Sequence, residues 1–211
     1  MLSGPDITRK YQTICRRSFK TKLEQFLLSK CIAGAGATDS FTMDEFNTYA
    51  ISDEDIKMYA AVYYQQPYDY KIEGESITDL YSIIESWKRL KAEEIAKWEG
   101  FYKVCFEEML PYVYFEKFIK GDACHYCHVT LDDINELIDM NKIFKKHETR
   151  GFSMEIDRKE PNKEYCKDNI VLCCYWCKHA KTDEFDDEDF KPIGTAIRKV
   201  WERRLGRKLK K

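Results

Sequence analysis

Two Cys-x-x-Cys pairs constrain this chain more than any other feature. They are Cys124-His125-Tyr126-Cys127 and Cys174-Tyr175-Trp176-Cys177, separated by the 46 residues from 128 to 173. Two thiolates on one tight turn can reach a single tetrahedral ion, and a second pair closes its shell at Zn–S ~2.3 Å. The intervening stretch is longer than a simple ribbon needs and has to fold as a motif, with the metal clipping its ends together. Four thiolates leave no open coordination position, so a zinc ion held there is structural. The competing reading is a redox pair, which needs a strand-to-helix context that neither Cys-x-x-Cys shows. Cys173 competes with Cys174 as a ligand but breaks the two-residue spacing. It and Cys166 read as small buried residues, while Cys15, Cys31 and Cys105 are scattered. An odd total of nine cysteines argues against a disulfide framework.

The 211 residues are enough for one large domain or two small ones. With 44% apolar and 34% charged residues, the composition is that of an ordinary globular protein and not a disordered one. The first 20 residues lack the apolar core and small-residue site of a secretion signal, and no apolar run approaches the roughly 20 residues that cross a bilayer. The expectation is a cytoplasmic protein with no membrane partner. A net charge of −2 says little, but its distribution is uneven. Residues 183–189 hold six acids and no base, whereas residues 198–211 hold eight bases against Glu202 alone. The basic stretch suits phosphates; it equally suits the C-terminal end of a solvated helix.

Residues 1–110 read as a helical region of unknown role. Thr42-Met43-Asp44-Glu45 has the form of a capping box, and Ser52 supplies a second N-cap before IKMYAAVYY. From residue 76, Leu80, Ile83, Ile84, Trp87, Leu90, Ile95 and Trp98 keep helical spacing. The Gly-containing CIAGAGATDS reads as a connector. Pro111 breaks the helical pattern, which sets a second domain at 111–211. There PYVYFEKFI reads as a lead-in helix, 131–146 as a helical insertion and FSMEID as a strand. A final amphipathic helix runs from Phe190 to Leu205.

The stretch MEIDRKEPNKEYCKDNIVLCCYWCKHAKTDEF orders a strand ending in Asp, a turn, a Tyr, Asp-Asn-Ile-Val-Leu, then Cys-x-x-Cys and a helix with Lys. Over residues 115–205 this resembles the HNH (ββα-metal, or His-Me finger) endonuclease family, in the branch where Asp-Arg replaces Asp-His and which includes some HNH restriction endonucleases. The resemblance implies an α+β chain: a mainly helical N-terminal region, then a zinc-stapled ββα-metal module and a C-terminal helix. It implies a metal-dependent endonuclease that hydrolyses the phosphodiester bonds of DNA. Position by position, Asp157 would bind the catalytic divalent ion, Mg²⁺ or Mn²⁺, and Arg158 stands where the general-base His usually stands. Asn169 would orient the active-site loop, and Lys181 matches the helix Lys near the phosphates.

Two departures have chemical consequences. Arg is always protonated, so Arg158 can neutralise a phosphate but cannot activate water. Lys178 stands where an Asn or His usually supplies the second metal ligand, and an ammonium does not coordinate a cation. Glu155 shares a strand face with Asp157 and offers a second hard oxygen ligand, or is simply a polar strand position. His179 lies one residue beyond the missing ligand, turned about 100° around the helix, and would replace it only if the helix starts one residue later. All four histidines lie in this half; His147, ten residues before Asp157, is the first candidate base. The alternative function is a nucleic-acid-binding zinc module with a degenerate HNH active site. A protein-interaction role, or a homodimer or accessory protein held through the N-terminal helices, is the third possibility.

Overall fold

The Thr-x-x-Glu read at residue 42 closes as a capping box in the computed structural model. Thr42 Oγ1 accepts from Glu45 N at 3.3 Å, and Glu45 Oε2 accepts from Thr42 N at 3.2 Å. This structure describes residues 3–32, 41–64, 77–143 and 151–209. The expected connector therefore lies almost wholly outside the described residues. The capping box starts α2 (Met43–Thr48), whose Phe46 is fully buried against Phe19, Phe26, Trp98 and Tyr102. The partners come from α1 (Gly4–Ile32) and α5 (Ala92–Met109). Ser52 likewise caps α3 (Asp53–Tyr64), exchanging bonds with Asp55. In α4 (Ile77–Leu90), Ile84 and Trp87 face the core as their spacing predicts, but Leu90 is 83% exposed at the helix end.

The C-terminal half begins with α6 (Tyr112–Phe118), which starts after Pro111 because proline needs no N–H there. The helix expected over 131–146 is shorter. It is α7 (Leu131–Asp139), with Thr130 and Asp133 as its capping box, and it stops where Asn141 turns to φ 54°. Strands β1 (Glu155–Arg158) and β2 (Ile170–Cys173) pair antiparallel, with Asp157 opposite Val171. The strand read as FSMEID thus starts later. Helices α8 (Tyr175–Lys181) and α9 (Asp187–Leu205) follow. Helix α9 starts three residues before Phe190, because Asp186 caps it and Asp187, Glu188 and Asp189 fill its first turn. Asp186 to Asp189 of the acidic run thereby answer the positive end of the helix.

The described residues are mostly helical with one two-stranded sheet, an α+β chain. None of the described helices is long and apolar enough to cross a membrane. Two compact units emerge: Met1–Tyr11 with Met109–Pro161 and Tyr165–Lys211, and Gln12–Glu108 with Asn162–Glu164. The cut read at Pro111 lies close to the crossing at residue 109. The start of α1 and the tripeptide 162–164 change sides, which composition does not signal.

The tripeptide is held in the helical unit by side-chain bonds. Gln25 Nε2 donates to Asn162 O at 3.1 Å, Lys163 pairs with Asp53 at 2.9 Å, and the Tyr102 hydroxyl donates to Glu164 Oε1 at 2.5 Å. Burial raises the Glu164 carboxyl above its ordinary value, against the opposing Tyr102 bond and Lys22 charge. The folded unit therefore prefers protonated Glu164. That stabilisation is complete below the ordinary carboxylate pKa and is lost as pH rises through the raised one. Glu164→Gln keeps an acceptor for Tyr102 and should raise the urea midpoint of the chain at pH 7 while leaving it unchanged at pH 4.

Candidate functional site

The first cysteine turn is fixed by its backbone. Cys124 N donates to Val129 O at 2.9 Å, His128 N donates to Cys124 O at 2.9 Å, and His128 adopts φ 61° to close the turn. His125 N reaches Leu172 O at 2.8 Å, which docks this turn on β2. The second turn does run from strand to helix, contrary to the sequence reading: β2 ends at Cys173, and Cys174 is the N-cap of α8, its sulfur accepting from Cys177 N at 3.5 Å. The four sulfurs of Cys124, Cys127, Cys174 and Cys177 are buried and all lie within 4.8 Å of one another. Cys127 Sγ and Cys174 Sγ are 3.7 Å apart; tetrahedral geometry at the usual Zn–S length asks for about 3.8 Å. Thiols this close cannot ionise independently. Four thiolates packed together in a buried site repel one another unless a counter-charge is present. A divalent cation that takes all four as thiolates removes that conflict, so the cluster can hold zinc. Cys173 is not part of it: its sulfur lies 3.7 Å from Glu155 O, and burial raises its thiol.

The cluster places α8 beside β1. Ile156 turns into the core, while Glu155 and Asp157 are half-buried on the alternate positions. Lys178 Nζ donates to Ile156 O at 2.6 Å and lies 3.5 Å from Glu155 Oε2. One turn on, Lys181 Nζ donates to Arg158 O at 2.9 Å and lies 3.6 Å from Asp157 Oδ2. Lys181 is 0% exposed, and a charge so enclosed must be paired. It was expected near phosphates; here its ammonium is engaged by the strand. Burial lowers the Lys10 ammonium, with Glu155 and Lys178 acting on it in opposite senses.

Asp157 has a further partner that sequence reasoning missed. The Tyr126 hydroxyl donates to Asp157 Oδ2 at 2.9 Å, from within the first cysteine turn. Its ring packs edge-on against Phe190 at 4.9 Å, and Gly194 lies so close that a Cβ there would sit 2.9 Å from Tyr126 O. Burial, then the Asp157 charge, push the Tyr126 hydroxyl far above the ordinary phenol range, so it stays a donor. The available signal was modest: a tyrosine between two buried ligands has a hydroxyl that needs a partner.

Asn169 is buried and clamps the turn that leaves β1. Its Oδ1 accepts from Glu160 N at 2.8 Å, its Nδ2 donates to Glu160 O at 3.2 Å, and its own carbonyl accepts from Lys159 N at 2.9 Å. The Arg158 guanidinium lies 4.8 Å from the centre of the Tyr165 ring. His179 is exposed and rests on Tyr175 at 4.2 Å, around the helix from the strand-facing Lys178 and Lys181. His125 is paired with Asp187 at 2.8 Å. His147 lies outside the described residues.

The site is therefore an antiparallel strand pair backed by a short helix and tied by a four-cysteine cluster. No protein-family model matches the sequence, and no curated protein matches it. Among solved structures, the chain is similar to the rare-cutting HNH restriction endonuclease PacI, an enzyme described as perturbing DNA. The identity is 20% and the TM-score 0.39, over 45% of this chain and 66% of that one. The match thus spans less than two thirds of PacI, and the likeness is loose.

Elemental analysis should find one zinc ion per chain, and Cys177→Ser should abolish tight binding. Chelation should remove the ββα tertiary signature in the near-ultraviolet circular dichroism; a zinc-free chain with that signature intact would contradict the assignment.

Proposed function

We propose that the chain is an HNH-type endonuclease that hydrolyses phosphodiester bonds of DNA, with a structural zinc at Cys124, Cys127, Cys174 and Cys177. The observation that carries this reading is the fold of β1, β2 and α8 around the sulfur cluster. It holds Asp157, Arg158 and Asn169 of the HNH-like pattern on one small rigid unit. The reading is of a cytoplasmic protein acting on double-stranded DNA, and two copies would serve to cut both strands.

Asp157 and Glu155 would hold the catalytic Mg²⁺ or Mn²⁺. The donor set is compatible, since Mg²⁺ keeps several waters and takes only one or two protein carboxylates. When bound, the ion would supply charge stabilisation to the scissile phosphate and leaving oxygen. The chain's own groups do the rest. Tyr126 and Lys181 fix the Asp157 carboxylate, Asn169 fixes the turn that follows Arg158, and Arg158 neutralises phosphate charge. In this proposal a histidine takes the proton from water, with His147 the first choice.

One observation favours a second reading. Lys178 and Lys181 already place ammonium groups beside Glu155 and Asp157, where a metal ion would compete with them. A DNA-binding zinc module with a degenerate HNH site would look the same.

Supercoiled plasmid incubated with Mg²⁺ or Mn²⁺ separates the two. The parent should nick it, and Asp157→Asn, which retains shape and zinc, should lose activity by about 100-fold or more. Nicking that is equal in both proteins removes Asp157 from the site. Lys178→Asn should lower the Mn²⁺ concentration needed for half-maximal nicking; if only this variant nicks, the degenerate reading holds for the parent.

A further inference from the structure

The C-terminal end of α9 is built, not frayed. Gly206 adopts φ 71° and its N–H reaches Glu202 O at 2.9 Å, which closes the helix in the left-handed manner that glycine permits. The chain then folds back to bury Leu209. Leu209 N donates to Glu202 Oε1 at 3.2 Å, and Leu209 O accepts from Arg198 Nη2 at 2.6 Å. Between helix and returning chain lies a cleft of about 400 Å³, lined by Lys199, Glu202, Arg203, Gly206, Arg207 and Lys208.

The charges lining this cleft are not equivalent. Glu202, its single acid, is saturated by Lys208 at 3.0 Å, Arg198 at 3.0 Å and Leu209 N, and these hold its carboxyl down at about 2. Arg207 bridges Asp133 and Glu136 of α7. Lys199 and Arg203, at i and i+4 on the exposed face of α9, have no acidic partner within ion-pair distance among the described residues. That spacing brings the bases of their side chains to about 6 Å from each other.

The helix dipole accounts for Arg203, which lies in the last turn, but not for Lys199, which lies further in than its influence reaches. Two of the last carbonyls are also already answered: Lys142 Nζ donates to Arg204 O at 2.6 Å, and Gly206 takes that of Glu202. The side chains lining this cleft, Lys199, Glu202, Arg203, Arg207 and Lys208, all end in charged groups, four of them cationic. An open cleft of that charge suits an extended polyanion.

We propose that Lys199 and Arg203, with the cleft they line, form a binding site for the phosphodiester backbone of double-stranded DNA. The site is distinct in sequence and in element from the strand that carries Asp157. Its partner, though not its geometry, rests on the function proposed above.

The test is equilibrium binding of the full chain to a labelled duplex, without added divalent ion, over a salt series. Each phosphate neutralised contributes about 0.9 to the slope of log K against log salt. Lys199→Ala/Arg203→Ala should therefore flatten the slope by about 2. Between about 50 and 200 mM salt the parent should lose roughly 10-fold more affinity than the double variant does. Lys199→Glu/Arg203→Glu should bind still more weakly, and Lys97→Ala, an exposed lysine of α5, should match the parent. Circular dichroism and zinc content verify that each variant is folded. Parental affinity and slope in the double variant would overturn the proposal. So would a parent that binds phosphatidylserine vesicles but no duplex. Loss of nicking in the parent with this salt dependence intact would defeat the nuclease reading alone; normal nicking with unchanged binding in the double variant would defeat this one alone.

Discussion

Four sulfur atoms from two turns must meet at one point, and the C-terminal unit depends on that convergence. Its sheet is two strands of four residues, and an isolated pair so short is marginal in water. Bringing Cys127 to Cys174 closes a loop of 46 residues, at a chain-entropy cost of about 4 kcal/mol. Structural zinc in zinc-finger peptides is worth about 10–16 kcal/mol, so an ion held by the four cysteines would outweigh closure by a wide margin. The same convergence does positional work. The first turn bonds β2 through His125 N, and the second is the first turn of α8. Strand, turn and helix are thus located by one cluster.

What that location achieves is electrostatic. Asp157 Oδ2 accepts the Tyr126 hydroxyl at 2.9 Å and lies 3.6 Å from the enclosed Lys181 ammonium. Glu155 faces Lys178 in the same manner. Two carboxylates on one strand would repel each other; two lysines one helical turn apart relieve that repulsion without any ion. This is the physical meaning of lysine at position 178. It adds stability to the resting chain and raises the requirement on any divalent ion, which must displace or share with an ammonium already hydrogen-bonded to the strand.

Much of this was legible in the sequence, and the remainder was not for identifiable reasons. The sulfur ligands were readable because metal geometry imposes a short, rigid spacing, which also separates Cys174 from Cys173. The capping box at Thr42 was readable because its partners are three residues apart. The start of α9 was not: Asp187, Glu188 and Asp189 look like a solvated charge run until Asp186 is seen capping the helix. Leu90 kept the helical period yet faces outward, because a helix end can leave the core. Tyr126 was invisible as a partner of Asp157, since 31 residues and a cysteine turn separate them in the chain. The directions of Lys178 and Lys181 depend on how α8 lies against β1, which no spacing rule supplies. Residues 162–164 changed units because three side-chain contacts, not composition, decide where they sit.

Helix α9 joins these themes. Its N-terminal turn is acidic, and Asp187 there pairs with His125, the neighbour of a sulfur ligand. One and two turns later Phe190 and Gly194 receive Tyr126, the residue that holds Asp157. Toward the far end its cations Lys199 and Arg203 face an open cleft. Opposite charges at the two ends stabilise the helix against its own dipole, so this arrangement carries no energetic penalty for the fold. On the proposals above, a phosphate backbone held at Lys199 and Arg203 would be kept off the acidic turn, and would approach Asp157 only where Arg158, Lys178 and Lys10 offset the carboxylates.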